Sequence, residues 1–161
     1  MAWEARLARA FRLDDAGWVR HANPWSGWTR MAVLPLLALA GWSRAWIGWW
    51  ALLPLVLLLG FLWLNPRLFP PPCRLDAWIS RSVLGERLWV NRDHVPVPAR
   101  HRRLPHWLAA LSGLGGICLA YGVAMLEPWP SLLGLVVAYM GKLWFLDRMV
   151  WLHQDMDGEG R

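Results

Sequence analysis

Long apolar runs separated by short polar, arginine-rich stretches dominate this chain: Met31 to Ala40, Ala45 to Leu64, Trp107 to Leu126 and Ser131 to Leu152. The second and third are about 20 residues long, enough to cross a hydrocarbon core of roughly 30 Å at about 1.5 Å per residue. The first is lengthened by Asn23-Pro24, a capping amide followed by proline at the first helical position, and a helix over 24–42 is about 28 Å long. The pattern predicts an all-α membrane protein, a single membrane domain over 1–161 with four transmembrane helices at 24–42, 45–64, 107–126 and 130–152.

Two further helices are expected outside the bilayer. Within an interfacial segment at 1–22, Trp3, Leu7, Ala10 and Phe11 fall on one side at helical spacing and Arg6, Arg9 and Arg12 on the other, the pattern of an N-terminal interfacial amphipathic helix. The loop at 65–106 opens with Asn65-Pro66 and Pro70-Pro71-Pro72, then becomes periodic from Leu75 to Val90. At 100° per residue Leu75, Trp78, Ile79, Val83, Trp89 and Val90 share a stripe with Glu86 near its centre, an amphipathic helix in the cytoplasmic loop. An unpaired carboxylate there is costly, so Glu86 is expected to meet an arginine or a metal, or to hold a proton, with a Glu–Arg pair as the commoner fate. His94, His101 and His106 lack a shared helical face and read as surface histidines. Lys142 reads as a snorkelling residue near the end of the last helix, with an ion pathway as the rival reading.

Composition strengthens the membrane reading. Hydrophobic residues make up 57% of the 161 residues and 15 are tryptophan, more than a soluble core of this size hides. Trp25, Trp28, Trp42, Trp46, Trp63, Trp107, Trp129 and Trp151 fall near helix ends, where indoles favour head-group depth. The net charge of +6 points to anionic lipid head groups, and no nucleic-acid motif accompanies it. Arg6, Arg9, Arg12, Arg20 and Arg30 precede or open the first helix, and Arg67, Arg74, Arg81, Arg87, Arg92, Arg100, Arg102 and Arg103 separate the second from the third, whereas the opposite connections hold only Arg44. By the bias of cytoplasmic loops toward arginine and lysine, the protein is expected in the cytoplasmic (inner) membrane with both termini and the long loop on the cytoplasmic side. Cys73 and Cys118 form no CxxC pair and are expected as free thiols. Ser112, Gly116, Ala120 and Ala124 on the third helix, and Gly134, Ala138 and Gly141 on the fourth, are expected to form a close helix contact.

Three segments look familiar: Arg20-His21-Ala22-Asn23-Pro24-Trp25-Ser26-Gly27-Trp28-Thr29-Arg30, then Asn65-Pro66-Arg67-Leu68-Phe69-Pro70, then Trp78 to Trp89 with Leu84-Gly85-Glu86. Together they resemble an uncharacterised family of small bacterial and archaeal integral membrane proteins, a domain of unknown function. The resemblance is carried by the chain up to Trp89, with the last two helices matching in hydropathy. It implies no activity, and implies that these polar residues are a family pattern.

The same residues converge by position, because each is expected at the cytoplasmic membrane boundary. A helix N-terminus flanked by arginines suits an anion, so His21, Asn23, Arg30, Asn65, Arg67 and Glu86 are the expected ligand-binding set, and an anionic lipid head group or a phosphate-bearing ligand the expected occupant. A membrane enzyme acting on a lipophilic substrate is the alternative, with His21, Glu86 and Asp147 as its catalytic candidates. A metal would draw on His21, Glu86, Asp147 and His153, although no HExxH, ExxH or HxH spacing backs it. No cofactor is otherwise expected, and a bilayer haem is disfavoured because no apolar run holds a central histidine. A small transporter or channel, an oligomer or a subunit of a larger membrane complex is the third reading.

Overall fold

The computed structural model describes residues 15–158, and these residues are helical, with no strand among them. The expected amphipathic helix over Met1 to Leu13 lies outside the described residues. The helices are α1 (Asp15–His21), α2 (Pro24–Trp42), α3 (Arg44–Ile47), α4 (Leu52–Leu68), α5 (Trp78–Val90), α6 (Leu104–Met125) and α7 (Pro128–Gly158), with 3-10 turns at Gly48–Ala51 and Ala99–His101. Three helical segments, Pro24–Leu68, Ala99–Met125 and Pro128–Gly158, are long and apolar enough to cross a membrane. Their outward surfaces carry Leu53, Val56, Leu57, Leu114, Ile117, Leu132 and Leu133, each more than half exposed. So many bare aliphatic side chains suit hydrocarbon, not water.

The first of these segments folds back on itself. Asn23 starts α2 by accepting from the backbone N–H of Trp25 at 2.9 Å, and its amide donates to the Pro70 carbonyl beyond α4 at 2.9 Å. Ser26 near the start of α2 also bonds Asn65 near the end of α4, so α2 and α4 form a hairpin. The turn between them is made by α3 and by Gly48, whose φ of +57° is the left-handed conformation that glycine adopts most readily. A helix was expected over 45–64. The glycine instead interrupts it, and regular α-helix resumes at Leu52 and runs through Pro66 to Leu68.

The close contact between α6 and α7 uses a different face of α6 from the one expected. A side chain at Gly115 would strike the Ala138 backbone, one at Gly122 the Ser131 backbone, one at Gly134 the Leu119 backbone and one at Gly141 the Ser112 backbone. The seam is therefore Ser112, Gly115, Leu119 and Gly122 against Ser131, Gly134, Ala138 and Gly141. Gly116 has open space beside it, and Ala120 and Ala124 are exposed. Both candidate stripes are rich in small residues, and in an apolar helix hydropathy does not distinguish them.

Interhelical bonds define two ends of the bundle. At one end Asn23 meets Pro70, Ser80 Oγ donates to the Ala22 carbonyl at 2.7 Å, and His101 meets Asp155 at 2.5 Å. At the other, Trp42 Nε1 donates to Ser131 Oγ at 3.1 Å and Arg44 donates to the Ala124 carbonyl. His101 is thus buried and bound to a carboxylate, not a surface residue, because the 3-10 turn at Ala99–His101 folds it against α7. His94 and His106 are exposed, the latter with its ring 4.9 Å from that of Trp89. α5 lies across the first end. Its Ile79 and Trp89 join Phe145, Leu146, Met149 and Leu152 of α7 in the main core, while Val83 packs with Trp18 and Ala22.

Candidate functional site

Arg30 stands about six residues, or roughly 9 Å, along α2 from its first residue. Its guanidinium is held from three directions. Nη1 donates to Ser26 Oγ at 2.7 Å, one helical turn back, and lies 3.2 Å from Asn65 Oδ1 across the hairpin. Nη1 also reaches His21 Nδ1 at 2.8 Å, and Nη2 donates to the His21 carbonyl at 3.1 Å. Around it the network closes on itself: Ser26 Oγ donates to Asn65 Oδ1 at 2.6 Å, and Asn65 Nδ2 donates to Thr29 Oγ1 at 3.0 Å. Ser26 and Asn65 are fully buried, so satisfied hydrogen bonds are a condition of their being there.

The arrangement fixes the chemistry of His21. A guanidinium has no acceptor, so Nδ1 must accept and cannot carry the proton. Burial, then the charge of Arg30, then that of Lys142, lower the His21 pKa from 6.5 to about 3. The imidazole is neutral at physiological pH and serves as an acceptor orienting Arg30.

Arg30 and His21 open onto a cavity of about 560 Å³ between α1, α2, α4, α5, α6 and α7. That volume lies within the range of roughly 300–1,000 Å³ typical of small-molecule sites. Its walls are mainly apolar, with Leu34, Leu62, Val83, Ala109 and Phe145 among them, and its charged groups among the described residues are Arg30, Glu86 and Lys142. Glu86 does not take the expected arginine as its closest charged partner. Lys142 Nζ lies 3.8 Å from Glu86 Oε1 and 5.0 Å from the Phe145 ring. Lys142, its side chain 44% exposed, thus lines the cavity beside Glu86. The cause is Gly85, where α5 comes so close to the Met149 carbonyl of α7 that no side chain fits, and the next residue then faces Lys142.

Of the ligand-binding set expected from sequence, His21, Arg30 and Glu86 line this cavity, and Asn65 stands behind Arg30. Asn23 is committed to its cap and to Pro70. Arg67 is exposed, bonded to the Trp63 carbonyl at 3.2 Å, with its guanidinium 4.3 Å from the centre of the Trp63 ring. Asp147 accepts from Trp78 Nε1 at 3.4 Å and His153 lies 3.5 Å from Asp157, so neither joins His21 and Glu86. Among the described residues no three His, Cys, Asp or Glu side chains come together as metal ligands would. Ser26, Thr29 and Trp89 were not among the site residues expected from sequence. The first was legible in hindsight, four residues before an arginine on the same helix face.

A family profile described as a family of unknown function, DUF6653, matches residues 2–160. The chain belongs to DUF6653. The match runs through α6 and α7, so the helices that supply Ser112, Lys142 and Phe145 to the cavity belong to this DUF6653 chain as fully as the polar segments before them. No curated protein and no solved structure matches the chain.

Proposed function

We propose that this DUF6653 protein is a four-crossing protein of the cytoplasmic membrane whose cavity binds the anionic head group of a lipophilic ligand. The observation that carries the reading is Arg30, fixed by His21, Ser26 and Asn65 at the polar part of an apolar cavity that Lys142 also lines. An amphiphile matches both halves, with its charge on the arginine and its chain among the aliphatic walls. The crossing number is supported by the α2–α4 hairpin, since a segment whose two ends meet must go in and come back. Orientation is supported by the uneven arginines: Arg20, Arg67, Arg74, Arg81 and Arg100 belong to the end that holds Asn23 and Asp155, and Arg44 to the other.

The test is thermal unfolding of the full chain in a neutral detergent with lysophosphatidylglycerol or lysophosphatidylcholine, which share an alkyl chain and differ in net charge. The anionic lipid is expected to raise the midpoint by several degrees more than the zwitterionic one, and Arg30→Gln to abolish the difference. Equal shifts from the two lipids would remove the proposal.

A further inference from the structure

The charges around the cavity also limit the head group, an inference that rests on the binding reading above. Among the described residues three ionic side chains line it: Arg30 and Lys142 are cationic and Glu86 is anionic. His21 adds no charge, because its Nδ1 accepts from Arg30. One positive charge is left in excess. The spare hydrogen-bonding capacity is likewise on the donor side. Arg30 spends Nη1 and one Nη2 hydrogen on its scaffold, leaving Nε–H and a second Nη2–H without an acceptor among the described residues. Guanidinium donors without an acceptor favour an occupant that brings oxygen atoms to accept from them.

We propose that the cavity selects a monoanionic amphiphile, a long-chain carboxylate or phosphodiester, over both a neutral analogue and a dianionic phosphomonoester. The two oxygens of such a head group match the open edge of the Arg30 guanidinium, and its single charge balances the excess left by the Glu86–Lys142 pair. A second negative charge would stand between mainly apolar walls beside the Glu86 carboxylate without a counter-charge among the described residues.

Native mass spectrometry of the full chain in a neutral detergent at pH 8 tests this, with palmitate, lysophosphatidylglycerol, hexadecanol and hexadecyl phosphate each at the same mole fraction in the micelles. At that pH a phosphomonoester, with a second pKa of about 6, is dianionic and the other two acids carry one charge. Palmitate and lysophosphatidylglycerol are expected to bind about tenfold tighter than hexadecanol and than hexadecyl phosphate. Hexadecyl phosphate binding as tightly as palmitate would overturn the charge selection and leave the head-group reading standing; no anion exceeding hexadecanol would overturn both. Two variants move the excess charge in opposite directions. Glu86→Gln is expected to shift the ratio of hexadecyl phosphate to palmitate by about tenfold toward the phosphate, and Lys142→Met to remove the advantage of palmitate over hexadecanol. Ratios unchanged in both variants would refute the role of these charges.

Discussion

Gly85 packs directly on the Met149 carbonyl of α7, and this contact sets Glu86 beside Lys142. The obstacle to a side chain there is backbone, which cannot rotate aside as a side-chain tip can. Gly85→Ala is therefore expected to push α5 off α7 and to destabilise the fold by about 1–3 kcal/mol, the usual range for overpacking. Gly116→Ala, where a methyl meets nothing among the described residues, should leave stability within about 0.5 kcal/mol of wild type. Thermal unfolding of the two variants side by side in one detergent is the measurement, and equal midpoints would contradict the packing described.

Asn65 is the hinge of the polar network, accepting from Ser26 and Arg30 and donating to Thr29 while fully buried. Asn65→Leu keeps the branched shape and removes the acceptor of Ser26 and Arg30 and the donor to Thr29. A loss of about 1–3 kcal/mol is expected. Asn23→Ala removes a cap and should cost about 1 kcal/mol. A midpoint for Asn65→Leu at or above wild type would show that the network does not hold the hairpin.

His21 makes stability depend on pH in a defined direction. Its folded pKa, about 3, lies below the ordinary 6.5, so between these values the unfolded chain binds a proton that the folded chain refuses. Stability is full above pH 6.5 and falls as the pH drops toward 3, by up to about 1.4 kcal/mol per pH unit from this residue. Midpoints from pH 7.5 to 4.5 should fall more steeply for wild type than for His21→Asn, which keeps an acceptor and cannot titrate. Parallel curves would mean that His21 is not held neutral.

Cys73 is exposed in the segment that follows α4, and Cys118 is half-buried within α6. A membrane-impermeant maleimide should modify Cys73 in inverted inner-membrane vesicles and leave it untouched in intact spheroplasts. Labelling in spheroplasts would reverse the proposed orientation.

How far the sequence could be read differs from residue to residue. The start of α2 was legible because Asn23-Pro24 is a local signal, and the cap it announces forms. The interruption at Gly48 was hidden inside a run of uniform hydropathy, where a positive φ leaves no trace beyond the glycine itself. The α6 seam was misplaced by one step because membrane helices pack by shape, and two small-residue stripes on one helix differ only in which finds a partner. For Glu86 the sequence established that a partner was needed, from its place in an apolar stripe, yet could not name Lys142, which lies on another helix 56 positions away. Arg30 was expected at the site, while the ring of acceptors that orients it depends on α4 returning to α2.

The unbroken course of α7 from Pro128 to Gly158 has a mechanical side. Lys142 lies about 21 Å from the Pro128 end of that rod and Asp155 about 40 Å from it. A stiff rod pivoting at its Pro128 end acts as a lever, so any sideways movement at the cavity wall is roughly doubled where Asp155 grips His101 and Arg100. The connection between α5 and α6 is fastened to the far arm of that lever.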